Sequence, residues 1–426
     1  MKSFVYFLGI LLIVSVNLKA QNVRGKITSS FYSFERYSSL DNSDRFLRAY
    51  QTMNLNVTQS KFSFRTRINF EGDLINPLER DPKLRFYKLY FEGKNISDIL
   101  SFKIGRQPIY NTVAGGLFDG IHLKLKYKGF KLTGYFGGNV APYQKLKFTD
   151  DLSNDYIAGG KLTVTEIKNL KFELSYVDKN FKPVDYSAIR LDENLNPINV
   201  LIRKNSNQFR FISGAISYKL KNAFRINTKY DYDLNFETTS KFMVSARYEQ
   251  IKNLGISLFY NFREPRIRYN SIFAVFNYGN TQELEGGLDY KINNKITVFG
   301  KFGNVTYKDE NSQRLTLGIN SNFGSLSFRK TFGYAGELDA ISVYSARTFM
   351  NGLLTPSVGL AYTSYKLSPD AEKNKILSFL GGINIRPWKL WSFDLQAQYF
   401  NNKIYKNDLR MFFKINYWFN TNLNLL

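Results

Sequence analysis

Residues from Gln21 onward alternate between apolar and polar side chains, and this period-two pattern constrains the fold more than any other feature. In residues 61–71, Phe62, Phe64, Ile68 and Phe70 alternate with Ser63, Arg65, Arg67, Asn69 and Glu71. In residues 121–127, Ile121, Leu123, Leu125 and Tyr127 alternate with His122, Lys124 and Lys126. Residues 223–234 and 391–399 repeat the code. Successive side chains on a strand point to opposite faces, so each segment has one apolar and one polar face. The segments are long enough to cross a bilayer with tilt, at about ten residues each. They recur without an intervening helix or second domain. The expectation is an all-β, transmembrane, antiparallel up-and-down β-barrel occupying residues 21–426.

Residues 1–20 carry a basic start at Lys2, an apolar run from Phe4 to Val16 and a small residue, Ala20, before Gln21. This is the layout of a cleaved secretory signal peptide, and the apolar run is too short for a spanning helix. Export combined with the barrel pattern places the chain in the outer membrane of a diderm bacterium, with membrane lipid as its surroundings.

Connection lengths fix the size. Such barrels alternate short turns at one end with longer loops at the other. Short connections fall at 59–61, 94–98, 128–129, 166–169, 220–222, 250–253, 292–294, 322–324, 350–353 and 387–388. The rhythm holds when residues 263–280 count as one excursion, with 271–278 left out of the wall. These turns separate hairpins totalling about 22 strands, with boundary error allowing roughly 18–24. The first strand follows the leader directly, so no N-terminal plug is expected.

With the polar face turned inward, Arg65, Arg67, Lys103, Lys124, Lys126, Arg225, Lys229, Arg247 and Lys301 line the pore, with Lys26, Lys131, Lys171, Arg329 and Lys414. Glu71, Glu173, Asp231, Asp233 and Asp394 join them. The formal net charge is +24. Cations spread along alternating positions lack the clustered footprint of a nucleic-acid binder, which excludes that partner. A confined basic lumen favours anions, the alternative being a solvated, partly self-neutralised wall with little selectivity. Two long connections are candidates to narrow the lumen, the alternative being exposed surface loops. Residues 180–205 contain Val184, Ile189, Val200, Leu201 and Ile202, suited to packing inside. Residues 263–280 open with Arg263, Arg266 and Arg268, an anion-binding constriction if folded inward.

The chain has no Cys and one His, His122. Thiolate metal sites, c-type haem attachment and paired-His devices are excluded, and no catalytic base–orienter pair can be assembled. No enzyme activity, metal or cofactor is expected.

Residues 102–107 read F-K-I-G-R-Q and residues 117–123 read L-F-D-G-I-H-L, flanking a Gly-containing loop. Arg106 and Asp119 near the ends of that hairpin are expected to form a structural ion pair. The G-R-Q strand end followed by a D-G strand start resembles large porin-like barrels of the alginate-export type. The resemblance covers about a tenth of the chain and implies an outer-membrane channel for an anionic solute or polymer. The expected function is thus porin-like passive passage favouring small anionic solutes or an anionic polymer. The alternative is a structural sheath around a partner protein in the lumen, such as a multihaem cytochrome of an electron conduit.

Overall fold

The computed structural model describes residues 21–423 except 38–41, 79–80, 111, 141–145, 192–195, 205, 222, 265–279, 309, 334–337, 367–369 and 402–406. The expected leader (residues 1–20) lies outside the described residues, as do Arg266, Arg268 and residues 271–278.

The alternating segments become strands. They are β1 (Gln21–Tyr37), β2 (Ser43–Gln59), β3 (Phe62–Asp73), β4 (Lys83–Ile96), β5 (Leu100–Ile109), β6 (Gly116–Tyr127), β7 (Phe130–Asn139) and β8 (Tyr156–Val164). Next come β9 (Leu170–Phe181), β10 (Val184–Leu191), β11 (Pro197–Lys204), β12 (Asn207–Leu220), β13 (Phe224–Asp233), β14 (Thr238–Tyr248), β15 (Leu254–Arg263) and β16 (Thr281–Asn293). The last are β17 (Ile296–Tyr307), β18 (Glu310–Ser321), β19 (Gly324–Gly333), β20 (Leu338–Ala346), β21 (Leu354–Tyr365), β22 (Asn374–Trp388), β23 (Trp391–Asn401) and β24 (Asp408–Leu423).

All but β10 and β11 form one 22-stranded antiparallel sheet. It closes where β1 meets β24, with Gln21 opposite Leu423 and Ser33 opposite Met411. Asn22 Nδ2 donates to Asn420 Oδ1 across that seam at 3.0 Å, between residues 398 positions apart. Closure leaves the 22-stranded sheet without an edge for another chain to pair with. β15 pairs directly with β16, so the wall is complete without residues 271–278.

The outer face is apolar and exposed. Ile104, Ile121, Leu123, Leu132 and Phe136 on β5–β7 are each 46–52% exposed. Leu284, Leu288, Phe302 and Leu317 continue the belt on β16–β18. A continuous exposed apolar belt suits hydrocarbon, not water.

Two sequence expectations need correction. Pro387 and Trp388 belong to β22, beyond a register shift after Ile385, and the turn falls at Lys389 and Leu390. A proline is tolerated at such an irregular strand end because no ladder bond requires its missing N–H. Residues 180–205 do not pack inside as an apolar loop. β9 runs on to Phe181, and β10 pairs with β11 as a separate hairpin. Ile189 is 74% and Leu201 56% exposed. The two strands satisfy their backbone groups by pairing with each other.

The described residues of the β3–β4 loop are pinned by two carboxylates. The Asp81 carboxylate accepts the backbone N–H of Asp73 and of Leu78, each at 3.0 Å, and a guanidinium N–H of Arg48. Asp73 accepts the N–H groups of Leu47, Ile75 and Asn76. Burial works against the Asp81 charge, but the two backbone donors and Arg48 outweigh it and hold its pKa below the ordinary value. A carboxylate with a depressed folded pKa stabilises above its unfolded pKa and loses that contribution as pH falls through the folded value. The loop is therefore expected to hold at neutral pH and to loosen only below the usual carboxylate range. Asp81→Asn is expected to reproduce the acid state at neutral pH, measured as faster hydrogen exchange at the Leu78 and Asp73 amides. Unchanged exchange would contradict the pinning role.

Candidate functional site

Strand parity and register set the inner wall. On β5, β6 and β7 the face opposite the apolar belt carries Lys103, His122, Lys124, Lys126, Lys131 and Tyr135. The same reckoning puts Arg65 and Arg67 of β3, Arg225 and Lys229 of β13, Arg247 of β14 and Lys301 of β17 on the polar face.

These cations fall into two groups. One group is neutralised. Arg65 Nε lies 3.1 Å and Lys103 Nζ 3.9 Å from Glu92. Lys229 lies 3.2 Å from Asp231, and Lys301 3.0 Å from Glu285. Arg247 holds Asp289 through two N–H donors at 2.8 and 3.0 Å and Glu249 at 2.7 Å. The other group has no carboxylate within 4 Å among the described residues: Arg67, Lys124, Lys126, Lys131 and Arg225. Arg67 instead stands 5.4 Å from the Tyr87 ring. Like charges also face each other directly. Lys219 is opposite Arg225, Arg225 opposite Arg247, and Lys126 opposite Lys131. Such pairs destabilise a sheet, so the folded barrel tolerates a positive wall. Arg263 ends β15 with an exposed side chain.

Arg106 and Asp119 are in direct register across β5 and β6. Arg106 donates through Nε to Asp119 Oδ1 at 2.8 Å and through Nη2 to Oδ2 at 2.7 Å. Parity puts the pair on the same face as Ile104 and Ile121. Asp119 is also opposite Gly138, and Thr149 Cγ2 lies 2.5 Å from where a Gly138 Cβ would stand. Chain beyond β7 thus covers this face at the loop end. Gly105, with φ +118°, and Gly120 sit beside the pair in register with each other. A Cβ at Gly120 would fall 2.1 Å from the Phe136 carbonyl oxygen, so only glycine lets β6 and β7 approach this closely.

One feature of the inner wall went unforeseen. Phe118, Tyr135, Ile157, Val177 and Phe211, on β6, β7, β8, β9 and β12, form a buried apolar patch on the polar parity. Val113 of the β5–β6 loop packs on it at 8% exposure, joined by Ile109 and Phe209. Lys179 Nζ donates to the Gly115 carbonyl at 3.1 Å and fastens the loop. The loop therefore folds against the lumenal wall. The signal was present in the sequence as apolar residues at positions where alternation calls for polar ones.

No family model matches the chain, and no curated protein matches it. Similar solved structures are known. A chain of the E. coli P pilus tip assembly intermediate PapC–PapD–PapK–PapG aligns with 94% of this chain at 8% identity and a TM-score of 0.50. This chain covers 62% of that one. The P pilus usher (PapC) translocation pore aligns over 93% of this chain and 99% of its own, at 9% identity and a TM-score of 0.47. Pseudomonas aeruginosa OccK1 (OpdK) aligns over 94% of this chain and 99% of its own, at 9% identity and a TM-score of 0.44. At these identities the likeness is one of fold.

Proposed function

We propose that this protein is an outer-membrane channel of a diderm bacterium that passes solutes passively and favours anions. The observation that carries the reading is the excess of unneutralised cations on the inner wall, at Arg67, Lys124, Lys126, Lys131 and Arg225. Field lines from such residues focus in a confined aqueous path between low-dielectric walls. A closed wall of this many strands is wide enough for such a path. The short turns face the periplasm and the longer loops the exterior. Charge selection needs no reaction, so the reading assigns no enzyme activity and no cofactor.

Reconstituted in planar bilayers under a potassium chloride gradient, the protein is expected to conduct with a reversal potential on the chloride side. Replacing Lys124, Lys126 and Arg225 together with glutamine is expected to move that potential toward zero. A cation-selective pore, or a silent barrel that co-purifies with a haem protein, would sink the reading.

A further inference from the structure

We propose that the lysine-rich face of β6–β9 is a binding site for a compact, multiply charged oxyanion such as phosphate. This rests on the channel reading and names a ligand class within it. Two neighbouring rows of side chains cross this part of the inner wall in direct register. In one, Lys124 is opposite Thr133 and Thr133 opposite Lys161. In the other, Lys126 is opposite Lys131 and Lys131 opposite Thr163. Cations and hydroxyl groups are thereby interleaved on one surface, with directly opposite Cβ atoms about 5 Å apart.

The charge is not balanced from within. Glu173 is the carboxylate of this face, and it is engaged by Lys161 at 2.9 Å and Lys171 at 2.8 Å. Thr163 Oγ1 also donates to it at 3.4 Å. Lys124, Lys126 and Lys131 have no carboxylate within 4 Å among the described residues. Directly opposed Lys126 and Lys131 repel, and a bound anion bearing two or more charges relieves that cost.

The residue type points to the ligand class. Arginine presents a planar fork matched to carboxylates, and this chain uses it so at Arg106 with Asp119 and at Arg247 with Asp289. The cations of the β6–β9 face are all lysines. A lysine ammonium acts as a compact point charge with freely directed donors. Several of them around a Thr133 hydroxyl suit a tetrahedral dianion better than a planar monocarboxylate or a halide.

The test uses the intact barrel with inorganic phosphate as the probe and acetate as the control. Phosphate is expected to block chloride current saturably, while acetate at equal concentration does not. Lys126→Gln with Lys131→Gln is expected to raise the half-blocking concentration about tenfold or more, the loss of charge-assisted bonds. Thr133→Val, which keeps every charge, is expected to raise it by a smaller factor. An anion-selective pore without saturable phosphate block, or equal block by acetate, overturns the site and leaves the channel reading standing. Block unaltered in the double variant also overturns it. Should the pore prove silent or cation-selective, the channel reading fails. The site is then judged by heat unfolding in detergent, where phosphate is expected to raise the melting temperature of the parent protein and not of the double variant. Equal shifts in both refute the site.

Discussion

Arg106→Ala is expected to be among the most destabilising single changes in this barrel, at about 3–5 kcal/mol. The Arg106 side chain is 4% exposed and its Asp119 partner 15%, joined by two short charge-assisted bonds. Removing the guanidinium leaves a carboxylate with little water to replace it, and that uncompensated charge dominates the loss. Arg106→Ala with Asp119→Ala together is expected to recover part of the stability, because no orphan charge then remains. Arg106→Lys is expected to fall between, since an ammonium cannot supply the paired fork. Urea unfolding in detergent micelles of the parent, Arg106→Ala, Asp119→Ala and the double variant, treated as a double-mutant cycle, measures the coupling. A coupling near zero would show that the pair is incidental to stability.

Val113→Asp should release the β5–β6 loop from the inner wall. Val113 lies against Phe118, Ile157, Val177 and Phe211, which are each no more than 2% exposed. An ionised carboxylate there costs several kcal/mol in desolvation. Lifting the loop breaks the Lys179–Gly115 bond and the valine contact, while the strand ladders stay intact. The expected result is a folded barrel with a larger and noisier single-channel conductance. Val113→Ala, which only thins the contact, is expected to weaken the attachment by roughly 1–2 kcal/mol without displacing the loop. If the aspartate variant conducts like the parent, the loop does not narrow the path.

Much of the barrel was legible in its alternation. Residues 61–71 and 121–127 announce their two faces residue by residue, and short turns such as Lys128 and Gly129 set the parity from which the strand number followed. What escaped was information that alternation does not contain. The β10–β11 hairpin has the same code as a wall strand, and only pairing partners distinguish a projecting ribbon from a packed loop. Pro387 looked like a turn because a proline in a strand is costly, but a register shift accommodates it. The candidate site divides in the same way. Parity alone put Lys103 and Lys126 on one face, yet whether each is neutralised depends on residues far along the chain. Glu92 reaches Lys103 and Arg65 from β4, and among the described residues no carboxylate comes within 4 Å of Lys126. The apolar patch under Val113 was visible as exceptions to the pattern, at Phe118, Ile157 and Phe211, and exceptions gain meaning only when five strands bring them together.

The seam between β1 and β24 governs how this wall is made. Its bonds join residues nearly the whole chain apart, so the ring cannot shut while the polypeptide is still emerging. Until β24 arrives, β1 presents an unpaired edge, which is a template for aggregation. Ordering so distant a contact also carries a large entropic cost and slows folding. Assembly therefore requires that the finished chain be kept apart from its neighbours before insertion. The step that commits it is the meeting of its first strand with its last.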